Sequence, residues 1–192
     1  MSNKIKIVVV LDESGSMQTL LGSTRESFDG FINSQQQLDG DASFVLYKFG
    51  GKITSNSFES IHNVKKLEDM DYRPSGGTPL FDAIGKAINA EVTLGSSGVL
   101  AIITDGEENQ SLFFNKEMVS NLIDQIQKVN GWQVLFLGAN IKDFDSLAKS
   151  LNVLQNNTIN FMATDKGIHE GYASIHTSVT SYRHTHAQKR MA

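Results

Sequence analysis

The sequence predicts an α/β fold: a doubly wound, mainly parallel central sheet with one antiparallel edge strand and helices on both faces. Two observations lead to this prediction. Short apolar segments rich in β-branched residues alternate along the chain with longer segments whose apolar residues recur at helical spacing. One pair of short segments is separated by the dipeptide Gly50-Gly51, which favours a tight hairpin and hence an antiparallel pair.

The first half of the chain supplies one central strand, one helix and the hairpin. Residues 5–11 form a near-continuous β-branched run, which is typical of a strand buried on both faces. Ser23 and Glu26 match a capping box, and the apolar residues after them follow the spacing of a crossover helix. Residues 44–49 and 53–58 are predicted to be the two strands of the hairpin, one of them at the sheet edge.

The second half continues the alternation. Thr78 as N-cap and Pro79 in the first helical turn predict a helix, and residues 99–104 predict another buried strand. A further helix is predicted from Asn115 onward, with four residues facing the core: Met118, Leu122, Ile126 and Val129. A strand, a short helix and a last strand are predicted over residues 133–137, 144–151 and 158–161.

The domain organisation is predicted to be a single domain over residues 1–192, because no repeat, low-complexity tract or proline-rich linker interrupts the chain. Residues 165–182 place apolar side chains at spacings of three and four, which predicts an amphipathic helix. We expect this helix to dock on the rest of the domain; the alternative is a seam for a partner or a second copy. Residues 183–192 are predicted to form a basic tail.

Composition excludes several classes of protein. The net charge of −4 lacks the positive excess that proteins use to bind a nucleic-acid backbone. The absence of cysteine excludes disulfide scaffolds, thiolate metal sites and cysteine nucleophiles. No secretory signal follows the first apolar run, and no segment approaches the roughly 20 apolar residues that span a bilayer. We therefore expect a soluble, cytoplasmic protein with neither nucleic acid nor a membrane as its partner.

The candidate functional residues follow the ends of predicted buried strands. Asp12, Ser14 and Ser16 alternate directly after the first strand, so their oxygen atoms can face one point. Thr78 lies in a later glycine-rich loop, and Asp105 ends another buried strand. In open α/β sheets ligands gather at the carboxyl ends of the strands. Carboxylate and hydroxyl oxygens without His or Cys suit a hard cation, so we expect Mg²⁺ or Mn²⁺.

This set of residues resembles the metal-ion-dependent adhesion site of a von Willebrand factor type A domain. The family pattern is D-x-S-x-S, then a threonine, then an aspartate, and all five residues occur here in that order. The resemblance implies that Ser14, Ser16 and Thr78 bind the metal directly or nearly so, and that Asp12 and Asp105 act mostly through water. It also implies that an acidic side chain of a partner protein completes the coordination.

The resemblance extends to a subgroup of the family, and neighbouring residues are separately predicted to form a rim around the site. The lack of cysteines and of a signal peptide is similar to the small intracellular versions found in bacteria and their phages. Glu13, Gly77, Glu107 and Glu108 adjoin the five residues in sequence and are predicted to line a rim that meets the partner. Glu13 is expected to point to solvent. Taken singly, the five predicted site residues Asp12, Ser14, Ser16, Thr78 and Asp105 fit ordinary turns and caps, and only their combined order favours a metal site.

Two other classes of function remain as alternatives. Asp12 beside a bound Mg²⁺ is similar to the nucleophile of haloacid-dehalogenase-like phosphotransferases, but Ser14 stands where those enzymes carry a second acid. The other alternative is a self-assembling structural module that pairs copies through residues 165–182. The sequence favours a metal-dependent protein-binding module that is not an enzyme.

Overall fold

The structure, a computed structural model, describes residues 4–189. Its sheet has six strands in the order β3-β2-β1-β4-β5-β6. Their bounds are β1 Ile5–Asp12, β2 Ala42–Phe49, β3 Ile53–Phe58, β4 Gly98–Thr104, β5 Gln133–Gly138 and β6 Thr158–Asn160. All neighbouring pairs are parallel except β2 with the edge strand β3, which are joined by residues 50–52.

Within residues 4–189, five α-helices cover the two faces of the sheet. Their bounds are α1 Leu21–Gln36, α2 Leu80–Glu91, α3 Lys116–Lys128, α4 Phe144–Ser150 and α5 Asp165–Lys189. Side chains of α1 and α5 share one buried apolar cluster with one face of the sheet. Side chains of α2, α3 and α4 share a second cluster with the other face. The predicted fold class, a doubly wound and mainly parallel sheet with an antiparallel edge strand, is confirmed.

Strand β1 lies inside the sheet, and this position explains its uniform composition. Ile7 and Val9 face the α1 side, whereas Val8 and Val10 face the α2 side, so both faces require apolar residues. Because β1 is parallel to β2 and β4, the carboxyl ends of the three strands lie at the same edge of the sheet. The loops that follow them therefore meet there.

Helix α3 buries a stripe that coincides only in part with the one predicted: Ile126 is buried and Leu122 is half-buried against the core, as predicted. Val119 and Ile123 are fully buried together with Ile126, whereas Met118 and Val129 are 44% and 70% exposed. Asn115 caps the helix by accepting a hydrogen bond from the amide of Met118 at 2.9 Å. The prediction identified the start of the helix correctly and was wrong by about one residue in the orientation of its apolar face.

Two predicted helix caps are also wrong. A 3₁₀ helix over Gly15–Leu20 runs directly into α1, so Ser23 lies within the first turn and its hydroxyl donates to the carbonyl of Leu20 at 3.0 Å. Thr78 does not cap α2. The N-cap position is occupied by Pro79, which forms no side-chain hydrogen bond to the helix. The amide of Phe81, in the first turn of α2, instead donates to the carboxylate of Glu108 at 2.9 Å.

Helix α5 lies along α1 and extends beyond residue 182. Four residues of its apolar stripe are buried: Ile168, Tyr172, Ile175 and Val179. The segment 183–192, predicted to be a basic tail, is helical as far as Lys189, and residues 190–192 lie outside the described part. Arg183 is 5% exposed, and its guanidinium donates to the carbonyls of Gln35 at 2.7 Å and Gly40 at 2.8 Å. This cation stabilises the last turn of α1, where carbonyls lack helical partners.

Membrane-spanning helices are not found within residues 4–189: none of the helices there is both long enough and apolar enough to cross a bilayer.

Candidate metal centre

Asp12 is the last residue of β1, and its carboxylate is fully buried. One carboxylate oxygen accepts a hydrogen bond from the amide of Ser14 at 2.7 Å. The other accepts from the hydroxyl of Thr104, at the end of the neighbouring strand β4, at 2.6 Å. The hydroxyl of Tyr72 donates to the backbone carbonyl of Asp12 at 2.8 Å. These bonds hold the carboxylate in one orientation at the edge of the sheet.

Two serines connect the first loop to Asp105. The Ser14 and Ser16 hydroxyl oxygens lie 3.0 Å apart, and the Ser16 hydroxyl donates to a carboxylate oxygen of Asp105 at 2.6 Å. Ser14 and Asp105 are buried, whereas Ser16 is exposed. The alternation of Asp12, Ser14 and Ser16 thus brings their oxygens toward Asp105, as the sequence predicted.

Thr78 reaches the same place from the loop before α2. A methyl group on Gly106 would lie 3.6 Å from the Thr78 hydroxyl oxygen and 3.9 Å from that of Ser16, so both hydroxyls border one small space. The amide of Thr78 donates to the side-chain oxygen of Asn109 at 2.8 Å, and the amide of Asn109 donates back to the Thr78 carbonyl at 3.2 Å. The structure therefore brings all five predicted residues together.

Close backbone packing permits this convergence. The amide of Gly15 donates to the carbonyl of Gly76 at 3.0 Å, which ties the first loop to the Thr78 loop. Gly76 has a φ of 78°, and a Cβ atom there would lie 2.5 Å from the Cα atom of Gly51. Only glycine combines this backbone conformation with so close an approach.

The two carboxylates carry uncompensated charge. Burial raises the pKa of Asp12 to about 6, although the hydrogen bonds from Ser14 and Thr104 oppose the shift. Burial also raises the pKa of Asp105. Neither residue forms an ion pair with any Lys, Arg or His in the part of the chain that the structure describes. A nearby cation would stabilise both charged forms.

The chemistry of these donors fits a hard divalent cation. Three hydroxyls and two carboxylates offer oxygen atoms alone, the ligands that Mg²⁺ and Mn²⁺ prefer. Residues 4–189 contain no group of three or more His, Asp and Glu side chains placed to hold a metal, so carboxylates alone would not form this site. A metal bound at this place would therefore also need the hydroxyls of Ser14, Ser16 and Thr78.

The predicted rim is only partly found at the surface. Glu13 does not point to solvent: it is 6% exposed, its carboxylate accepts from the amide of Arg73 at 2.5 Å, and burial raises its pKa. Gly77 is half-buried beneath the side chain of Gln110. Glu107 is exposed, and its carboxylate accepts from the amide of Lys142 at 2.8 Å.

Glu108 anchors a loop and does not form a free acidic surface. Its carboxylate accepts hydrogen bonds from the amides of Gln110 and Ser111, from the Ser111 hydroxyl and from the amide of Phe81. Sequence reasoning missed this role, and it also missed Thr104, Tyr72, Asn109 and Asp82. Thr104 directly precedes Asp105 and had the strongest signal, because a hydroxyl at a strand end can reach the neighbouring strand.

Known structures share this fold at low sequence identity. A von Willebrand factor type A protein from Catenulispora acidiphila matches 90% of this chain at a TM-score of 0.60 and 15% identity, over 42% of its own length. Proximal thread matrix protein 1 from the mussel byssus, with a zinc-occupied metal-ion-dependent adhesion site, matches 90% at 0.66 and 15%, over 47% of its length. The manganese-loaded Plasmodium vivax TRAP protein matches 88% at 0.57 and 16%, over 72% of its length.

These likenesses define the fold as that of von Willebrand factor type A domains. The chain spans less than half of the first two of these proteins. Its sequence matches no protein-family profile and no curated protein sequence.

Proposed function

We propose that this protein is a metal-dependent protein-binding module. Its centre is a Mg²⁺ or Mn²⁺ site formed by Asp12, Ser14, Ser16, Thr78 and Asp105. The observation that carries the proposal is the convergence of these oxygens, from three loops, around two buried acids that have no cationic partner among the described residues. The zinc- and manganese-loaded structures that share the fold support a divalent cation in general.

The five residues have different roles in this proposal. Ser14, Ser16 and Thr78 offer neutral hydroxyls as direct ligands. Asp12 and Asp105 are proposed to act mostly through water, as the family resemblance implies. The Asp12 carboxylate keeps its hydrogen bonds from the Ser14 amide and the Thr104 hydroxyl, and Asp105 keeps the bond from the Ser16 hydroxyl. A divalent cation held mainly by neutral ligands would supply positive charge that attracts an acidic side chain of the partner.

The surface around the centre determines which partner fits. Glu107 is exposed close to Asp105 and contributes negative charge to the rim, while Gly77 is covered by the side chain of Gln110. Glu13 and Glu108 are excluded from direct contact by their internal hydrogen bonds. The proposed rim is therefore smaller than the one predicted from the sequence.

The module is proposed to bind and not to catalyse. A phosphotransferase that uses Asp12 as its nucleophile would need a nearby acid to protonate the leaving group. Ser14 stands where that acid would be. A cytoplasmic location and a bacterial or phage origin, both expected from the sequence, form part of this proposal.

Titration calorimetry on chelator-treated protein tests the metal site. We expect saturable binding of MgCl₂ or MnCl₂ to the native chain, and at least a tenfold loss of affinity in Asp12→Ala and Ser16→Ala. Ser34→Ala is the matched control, because Ser34 is a half-buried serine of α1 whose hydroxyl donates to the carbonyl of Gly30 in the same helix. Equal metal affinity in all four proteins would contradict the proposed site.

Affinity capture from a bacterial lysate tests the partner. The native chain is immobilised in parallel with millimolar MgCl₂ and with chelator, and Asp12→Ala serves as the second comparison. We expect a protein that is retained by the native chain only with MgCl₂ and that is lost with Asp12→Ala. A partner that stays bound in chelator would show that binding occurs elsewhere.

A further inference from the structure

The loop between β4 and α3 is held rigidly by two acidic side chains. Asp82 in α2 is 6% exposed, and its carboxylate accepts from the amides of Leu112, Phe113 and Phe114 at 2.7–2.9 Å. Glu108 holds the preceding part of the loop through four further hydrogen bonds. The backbone at this position is therefore fixed before any partner arrives.

This fixed backbone displays two large apolar side chains. Leu112 is 85% exposed and Phe113 is 79% exposed. The neighbouring Phe114 turns inward and fills the space above Gly85. A flexible loop could fold such residues away, but here the carboxylate of Asp82 keeps both outside. Rigid exposed aromatic and aliphatic residues lose little conformational entropy on binding, which favours them as anchors of an interface.

A groove of about 620 Å³ opens beside Phe113. Its apolar walls are formed by Phe113, Phe114, Ala90 and Ile53 at the start of the edge strand, so it runs between the hairpin and α2. It is an open groove beside a projecting ring, and its size suits a large side chain. The groove lies near the candidate metal centre. Thr78 of that centre precedes the groove residue Asp82 by four residues, and Asp82 lies in the first turn of α2.

Lys86 places an exposed ammonium group at this groove. Asp82 and Lys86 stand at positions i and i+4 of α2, where an ion pair would normally form. The carboxylate of Asp82 is instead engaged by three backbone amides, and Lys86 forms no ion pair with any residue in the described range 4–189. The groove thus combines apolar walls with an exposed ammonium group that has no ion-pair partner in the described range, while the carboxylate of Asp82, which also lines the groove, is buried and held by backbone amides.

We propose that Leu112, Phe113 and the groove along α2 bind a polypeptide segment of a partner that carries a large apolar side chain next to a carboxylate. The apolar side chain fills the groove against Phe113, and the carboxylate pairs with Lys86. This surface goes beyond the proposed function because it needs no metal ion. A partner that binds the candidate metal centre would meet it as a second point of contact.

Selection of random linear peptides on the full chain in chelator tests this surface directly. We expect enriched sequences that place an aromatic or large aliphatic residue within two positions of Asp or Glu. Fluorescence anisotropy with the best labelled peptide then measures affinity. The double variant Leu112→Ser, Phe113→Ser is expected to weaken binding at least tenfold, and 5 mM MgCl₂ in place of chelator is expected to leave it unchanged.

A charge exchange tests the role of Lys86. Lys86→Glu is expected to weaken binding of the selected peptide, and replacing the peptide's acid with lysine is expected to restore it. Leu94→Ser is the matched control: Leu94 is 96% exposed in the connection between α2 and β4, and it does not line the groove. Circular dichroism and thermal unfolding confirm that each variant is folded.

Four results would overturn the proposal. These are a selection that enriches no sequence, an enriched sequence without the apolar residue, an equal loss of affinity in Leu94→Ser, and a failure of the charge exchange. Light scattering adds a fifth: a dimer that Leu112→Ser, Phe113→Ser converts to a monomer would assign the surface to a second copy. None of these results depends on the metal titration, so this proposal and the proposed function can fail separately.

Discussion

At the scale of single residues, Asp12 is a buried carboxylate that lowers the stability of the folded protein at its candidate site. The residue is fully buried, and no cation compensates its charge within the described residues. Its two hydrogen bonds with Ser14 and Thr104 offset only part of the loss of hydration, because the pKa still rises to about 6. A buried acid of this kind is common at functional sites.

Replacing Asp12 with Asn should stabilise the chelator-treated protein at neutral pH. The folded-state pKa of about 6 exceeds the ordinary aspartate pKa of 3.8, so ionised Asp12 destabilises the folded state above pH 6. This rise in the pKa corresponds to about 3 kcal/mol in the free energy of unfolding. The gain should shrink as the pH falls from 6 toward 4, where native Asp12 is protonated in the folded state. Urea unfolding at pH 7 and pH 4 measures it, and a less stable Asp12→Asn at pH 7 would contradict the argument.

Thr104 positions Asp12 without being a proposed ligand. Thr104→Val keeps the shape of the side chain but leaves one Asp12 oxygen without its donor, so we expect Mg²⁺ affinity at pH 7 to fall about 10- to 100-fold. Thr104→Ser retains the hydroxyl and should remain within a few fold of the native chain. Calorimetric titration of the three proteins measures the difference. A Thr104→Val protein that binds Mg²⁺ like the native chain would remove Thr104 from the site.

At the scale of elements, α3 shows what periodicity can predict and what it cannot. The sequence identified the helix and its N-terminal cap residue Asn115, because these depend on local signals. It placed Met118 in the core and overlooked Val119 and Ile123, which the structure buries completely. Several apolar stripes are present on this helix, and only its packing on the sheet selects the one that is buried.

The orientation of α3 predicts a clear contrast between two neighbouring substitutions. Val119→Ala removes buried methyl groups and should lower the free energy of unfolding by about 1–3 kcal/mol. Met118→Ala, at a side chain that is 44% exposed, should change it by less than about 0.5 kcal/mol. Urea unfolding of both variants measures the contrast. The reverse order would support the orientation predicted from the sequence.

At the scale of the whole molecule, the predictable features depend on order along the chain. Alternating strands and helices, with one glycine-linked hairpin, determine the fold class, and parallel strands bring Asp12 and Asp105 to one edge.

The burial of Glu13 and Arg183 was not predictable. Glu13 bonds to the amide of Arg73, and Arg183 bonds to the carbonyls of Gln35 and Gly40, so the partners are far apart in sequence. Long-range partners of this kind are invisible to local patterns.

The apolar stripe of α5 has two possible roles: it docks on its own domain, or it pairs two copies of the chain. Ile168, Tyr172, Ile175 and Val179 are buried within the chain, packed with residues of α1 and of the sheet. Removing four such side chains loses about 6–12 kcal/mol of burial, which is comparable to the whole stability of a typical domain.

A chain that ends at Thr164 should therefore be insoluble or lack cooperative unfolding. It would expose Phe28, Phe31 and one face of the sheet, where α5 now covers them. Expression yield, size-exclusion chromatography with light scattering, and thermal unfolding of the full and shortened chains measure the effect. If α5 instead pairs two copies of the chain, the full chain is expected to be a dimer and the shortened chain a folded, soluble monomer. That result would show that α5 joins two molecules, whereas aggregation of the shortened chain would show that α5 is part of the core of one.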